Sequence, residues 1–216
     1  MKQMNQNKVS MAGWLVAAVL GGVVLTGGFQ GAQDKFGVVD VNKAVVDSEM
    51  GKKNREKMDA ESVARQGIID FMQTHRVLTV EQAQKIKTLS LKTPLSATEK
   101  AELDKVKEEV VKAAKSFDTL NQKPSPTDDD RNLLQEYNNR VQNTGALVQE
   151  WGQTFYNDLA NLKETLIQDA VKKADTSIKE LSKKDGYTLV FSSPGACVYG
   201  ANDLTDAVTK SLNASK

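Results

Sequence analysis

The chain has one cysteine, one histidine and four prolines in 216 residues, and only 6% of it is aromatic. A lone Cys197 excludes an internal disulfide. Flanked by Ala196 and Val198, it reads as a small buried apolar residue. His75 has no second histidine with which to build a metal cluster or a catalytic dyad. It falls at the end of a helical stretch and reads as an exposed helix-end residue. The sequence also lacks a phosphate-cradling glycine loop. No set of acid, base and nucleophile stands out. Ser193-Pro194-Gly195 is turn chemistry without a Gly-x-Ser-x-Gly context. No enzyme, cofactor or metal is expected. Asp128, Asp129 and Asp130 fall in one helical first turn, where the helix dipole already favours acids. The net charge is +1, without the concentrated basic face that nucleic acid requires.

Charge is also missing from the start of the chain. Lys2 and Lys8 are the only charged residues before Asp34, and Met11 to Phe29 is uncharged and mostly apolar. A positive segment followed by an apolar one is the pattern of a secretory signal. The apolar run is also just long enough to span a bilayer as a helix. Residues 1–32 therefore read as a signal peptide or an N-terminal membrane anchor. Either reading exports the remainder of the chain, to the periplasm or cell envelope, by the positive-inside rule. Without Lys2 and Lys8 that remainder carries about −1, two positive charges fewer than the whole chain. No cysteine comes after the apolar run at its end, so a lipid anchor there is excluded.

The rest of the sequence is dominated by helix signals. Residues 35–41 predict a short strand, with Phe36, Val38, Val39 and Val41 at its core. Asp40 can cap a brief helix over 41–48, and Met50-Gly51 predicts a break before a helix over 52–74. Three N-cap signals come next: Thr79 with Gln82, Ser96 with Glu99, and Thr127 with Asp130. The first two are capping boxes, in which a hydroxyl and a later side chain satisfy each other's orphan backbone donors. The third is a variant with aspartate. They predict helices over 80–91, 97–122 and 128–184. The breaks fall at Pro94 and at 123–127, because proline cannot continue a helix interior.

The last of these helices carries a long apolar stripe. It runs from Leu134 through Tyr137, Val141, Val148, Trp151, Phe155, Leu159, Leu162, Leu166, Ala170, Ala174 and Ile178 to Leu181. With Thr144 in its one gap, the stripe repeats about every 3.6 residues, the period of a straight helix. A helix of that length would extend about 85 Å. Gly145 and Gly152 weaken it and mark candidate bends. Gly186 ends it, and strands are expected over 187–191 and 196–200. A short helix capped by Asn202 or Asp203 closes the chain.

A strand over 35–41 cannot satisfy its own backbone groups, and the other strand signals lie about 150 residues away. One small sheet joining 35–41, 187–191 and 196–200 resolves this. The helical middle must then leave the sheet and return to it as a hairpin with its tip near Pro124–Pro126. The fold class expected is α+β: a small antiparallel-containing sheet with a long protruding helical hairpin, or coiled-coil arm. The body would comprise 33–50 and 185–216, and the arm 51–184.

"KFGVVDVNKAVVDSEMGKK" and "YTLVFSSPGACVYGANDLTDAV", in that order around a long helical middle, resemble the two ends of the OmpH-like (Skp) family of periplasmic chaperones. The match rests on Gly37 to Asp40 and on Asp203 to Asp206. The resemblance implies an ATP-independent holdase. Three chains would join their sheets into a body, and helical arms would enclose unfolded outer-membrane polypeptides. The strand residues Phe36, Val38, Val39, Val41, Leu189, Phe191, Val198 and Tyr199 would then form the sheet and oligomer core. Leu89, Leu91, Leu95, Trp151, Phe155 and Tyr156 are the candidate client contacts. Trp151 and Phe155 lie on the stripe, where packing against the rest of the arm competes with that role. The alternative function is a membrane-anchored coiled-coil spacer or scaffold, tethered to the inner membrane through 11–29.

Overall fold

The computed structural model describes residues 34–193 and 202–214. The leader and the expected third strand, with Val198 and Tyr199, lie outside them. The chain packs as two compact units. One takes in the segments up to Met50 and from Val171 onward, the other Gly51–Ala170.

In the first unit, β1 (Phe36–Asp40) and β2 (Leu189–Ser193) pair in parallel, with Phe36 opposite Leu189 and Val38 opposite Phe191. The opening strand thus finds its partner across the entire helical middle. A parallel pair cannot be closed by a tight turn and needs a long crossover. The other edge of β1 is satisfied by the segment before the last helix: Val38 N–H donates to Asn202 and Leu204 N–H donates to Val38. α1 (Val41–Asp47) starts where the Asp40 carboxylate accepts the Lys43 N–H at 2.8 Å. α6 (Thr205–Ala214) and the end of α5 (Asp128–Asp185) cover one face of the sheet. Val39, Ala44, Ala174, Leu204, Val208 and Leu212 form the core between them.

β2 begins two residues later than the sequence predicts. Gly186 adopts a φ of 71°, and the Tyr187 N–H donates back to Ser182 at 2.9 Å. That is a glycine-terminated helix end in which the second residue past the cap closes on the last turn. Tyr187 is thereby held against the core, with the Lys35 ammonium 4.0 Å from its ring centre. Gly37 is buried directly beneath Tyr187 and Leu204.

The predicted break at Met50-Gly51 is corrected by the structure. The chain breaks at Ser48, and α2 runs unbroken over Glu49–His75 with Gly51 buried inside it. The Ser48 hydroxyl and N–H both donate to Val45 and end α1. The first N–H of α2 is taken by the Asn213 carboxamide of α6, at 2.7 Å. A glycine inside a helix costs only about 1 kcal/mol, which this capping and burial offset.

The second unit is built from most of α2, α3 (Val80–Ser90), α4 (Ala97–Asn121) and the larger part of α5. The two capping boxes form as the sequence predicts, at Thr79–Gln82 and Ser96–Glu99. The aspartate variant closes in the same way: Asp130 N–H donates to Thr127 Oγ1 and Thr127 N–H donates to Asp130 Oδ2. α4 and α5 meet at the turn containing Pro124 and Pro126, where Phe117 and Tyr137 stack edge to face at 5.8 Å. α5 passes through Gly145 and Gly152 without a break. Every position of its stripe is at least half-buried, and Thr144 in the gap is buried.

The segment 76–96 supplies α3, and the second unit is locally four helices thick. Ile68 and Met72 of α2, Ala83, Ile86 and Leu89 of α3, and Val106 and Val110 of α4 close around Trp151 and Phe155 of α5. This answers the poor apolar content of α2, since a helix so polar is marginal unless neighbours cover its narrow face.

Candidate functional site

The candidate contact residues separate into covered and open ones. Trp151 and Phe155 are each 4% exposed and lie at the centre of the second unit's core. Leu89 is buried there as well, and Leu91 and Leu95 pack against it. Cations close over the aromatic pair. Lys87 Nζ sits 4.6 Å from the Trp151 ring centre and 5.6 Å from that of Phe155, and the Arg65 guanidinium lies 5.7 Å from Phe155. Such contacts are worth about 0.5–1 kcal/mol each at accessible sites. Tyr156, one residue on, points away and is 71% exposed.

The strand residues divide by face. Val39 is buried under the helices, and Val41 packs beside it. On the opposite face, Phe36, Leu189 and Phe191 are exposed, with Val38 half-buried between them. The Phe36 and Phe191 rings stand 6.3 Å apart. Alternation along a strand sends neighbours to opposite faces, so one strand supplies both the core and this open patch.

Among the described residues, the polar groups with shifted pKa values are engaged in caps and ion pairs. At the carboxyl ends of the strands, a cleft of about 280 Å³ is lined by Asp40, Lys43, Asp203 and Asp206 among others. Asp40, Lys43 and Asp203 are engaged locally, Asp40 by accepting the Lys43 N–H. Lys43 donates to Asp47 at 2.6 Å, which raises its pKa. Asp203 accepts from the hydroxyl and N–H of Thr205, which lowers its own. In the second unit the Lys92 ammonium and the Ser96 cap hold Glu99 down to about 2, and Lys123 and the Thr127 cap do the same for Asp130. Two of the three consecutive acids thus have assigned partners, since Asp128 pairs with Arg131. Among the described residues no group of His, Cys, Asp and Glu could hold a metal ion. No helix among them is long and apolar enough to cross a membrane.

Sequence reasoning missed an apolar groove of about 270 Å³ in the second unit. Met72 and Thr144 form its floor, Val141 and Val148 its walls, and Gly145 and Arg76 its rim. The signal for it was present in Gly145, which lines the groove and where a Cβ would meet nothing within 4 Å.

Residues 35–212 match the family described as Outer membrane protein (OmpH-like). The chain belongs to the OmpH-like family. The match extends over both units, including the α3–α4 segment. No curated protein matches the chain in sequence. The OmpH-like family is periplasmic and includes chaperones that bind outer-membrane proteins.

Proposed function

We propose that this OmpH-like chain is an ATP-independent holdase of the cell envelope. It shields unfolded outer-membrane polypeptides from aggregation, and three copies enclose the client between their helical units. Family membership over residues 35–212 carries this reading. The open patch of Phe36, Leu189 and Phe191 supports it. Large apolar side chains left uncovered on a small sheet favour association, and three such sheets meeting through that face would supply the core that one lacks. Client release would depend on the client's own folding.

Purified chain should suppress the light scattering of a denatured β-barrel protein diluted from urea, without nucleotide. Light scattering of the chain alone should return three times the monomer mass. Unchanged client aggregation at several-fold trimer excess would overturn the proposal. A monomer that still suppresses aggregation would overturn the enclosed-cavity part alone.

A further inference from the structure

α5 is densely charged except at its middle: between Arg140 and Asp158 only Glu150 carries charge. α2 runs antiparallel beside this stretch. The Asn54 carboxamide reaches the Leu166 carbonyl at 3.5 Å, and Gln73 and Gly145 line one groove nearer the other end of α2. Steps of three and four residues stay on one side of a helix. From Gly145 they give Gln149, Gly152, Tyr156 and Ala160 on α5; from Gln73 they give Ile69, Gln66 and Ser62 on α2. Because Gln73 and Gly145 share a groove, both rows lie on the same side of the helix pair. All of these residues are exposed except Ile69, which is half-buried. They form one open, uncharged face of the second unit, about 22 Å long. Arg76 and Lys163 follow at its two ends, and Asp70 at its border accepts from Gln66 at 2.7 Å. Glu150 lies about 100° round the helix from Gln149, and Arg65 is engaged by Glu61 and Phe155.

We infer that this face holds the backbone of an extended, uncharged client segment, with the carboxamides of Gln66, Gln73 and Gln149 pairing with its peptide groups. Charge decides the occupant. An ion pressed against a surface that offers no opposite charge loses hydration without compensation, so an uncharged face takes an uncharged chain. Strands of outer-membrane barrels supply such chains, because their lipid-facing band is apolar and charge there is destabilising. A glutamine amide both donates and accepts, so it can pair with the N–H and C=O groups of any sequence. Among the described residues, the side chains of Gln73 and Gln149 make no hydrogen bond, and that of Gln66 makes one. Gly145 and Gly152 allow a backbone to come close, since open space surrounds the place of each missing Cβ. Tyr156, 71% exposed, adds a large side chain beside them. About seven residues of extended chain cover the face. Recognition through the backbone suits a holdase whose clients differ in sequence.

This inference rests on the holdase reading, and two separate measurements distinguish their failures. The first is fluorescence anisotropy of the full chain with a labelled nonapeptide of alternating Val and Thr, blocked at both ends. Three relatives are compared: one with a central Glu, one with a central Lys, and one N-methylated at alternate peptide groups. The second is suppression of client aggregation by the same preparations. The uncharged peptide should bind equally well at low and high salt. Each relative should bind at least about tenfold more weakly, from lost hydrogen bonds or an uncompensated ion. Gln149→Glu and Gln149→Lys keep the helix propensity of glutamine, and each should weaken the uncharged peptide by about tenfold. Asn143→Lys, exposed about 120° round α5 from Gln149, should leave it unchanged. Helical circular dichroism should be the same in all three variants. Failure of the uncharged peptide to bind overturns the inference, as does equal affinity for charged or N-methylated peptides. Opposite responses to the two charges at Gln149, or an equal loss in Asn143→Lys, overturn it too. Any such result alongside intact aggregation suppression leaves the holdase reading standing; loss of suppression in the wild-type chain removes both.

Discussion

Replacing Phe155 by alanine tests whether that ring supports the fold or faces a client. It is 4% exposed, 6.4 Å from the Trp151 ring centre, and approached by Lys87 and Arg65 from outside the aromatic pair. Truncating a buried phenylalanine costs about 3–5 kcal/mol through lost transfer energy and the cavity left behind. The aromatic pair adds about 0.5–1.5 kcal/mol to such an estimate, and each cation about 0.5–1 kcal/mol. These contributions overlap with the cavity cost, so about 4 kcal/mol is expected in total. In a chain starting at Asp34, Trp151 is the only tryptophan. Its fluorescence during urea unfolding therefore reports this core directly. A fall in the unfolding midpoint equivalent to about 4 kcal/mol supports the structural role. A change below about 1 kcal/mol, with aggregation suppression lost, would refute the reasoning and return Phe155 to the contact surface. The Trp151 emission maximum should also shift red in the folded variant, as water enters the cavity.

Three further outcomes rest on the geometry. Gly37→Val should destabilise the first unit by about 1–3 kcal/mol, because a Cβ there comes within 2.9 Å of Leu204 Cδ1 and 3.0 Å of Tyr187 Cδ1; thermal unfolding with a tyrosine-sensitive probe measures it. Gly152→Ala should instead stabilise the chain by up to about 1 kcal/mol, since it lies mid-helix in open space, and an unchanged or lower melting temperature would contradict that. The carboxyl groups of Glu99 and Asp130 have folded-state pKa values lowered to about 2, from 4.5 and 3.8. Each contributes stability that is fully present above its unfolded value and is lost as pH falls towards 2. Amide exchange in the first turns of α4 and α5 should therefore accelerate between about pH 4.5 and 2, relative to exchange in the helix centres, and Glu99→Gln should remove that acid-dependent change in α4.

Local capping physics was legible in advance. A hydroxyl followed three residues later by an acid or amide needs only its own turn to satisfy the helix start, so Thr79, Ser96 and Thr127 announced three helices without any tertiary information. The 3.6-residue stripe of α5 likewise declared its buried face, including Thr144, because spacing along a helix maps directly onto direction. Which partner covers that face is not written in the spacing. Trp151 and Phe155 read first as packing within the arm, with client contact as the competing role, and it is the arrival of α3 and α4 that buries them. The groove depended in the same way on α2 coming alongside Val141 and Val148.

The sequence by itself determined the helix starts, the proline-marked turns, the long apolar stripe and the need for a distant strand partner. All of these arise from interactions spanning a few residues, or from backbone groups that must be paired somewhere. The tertiary structure alone decided the parallel register of Phe36 with Leu189 and the Asn213 cap that begins α2 at Glu49 instead of after Gly51. It also decided which aromatics are sealed and which stay open. Those outcomes depend on groups more than a hundred residues apart, or on separate helices, meeting in space, and no local pattern encodes the distance between them.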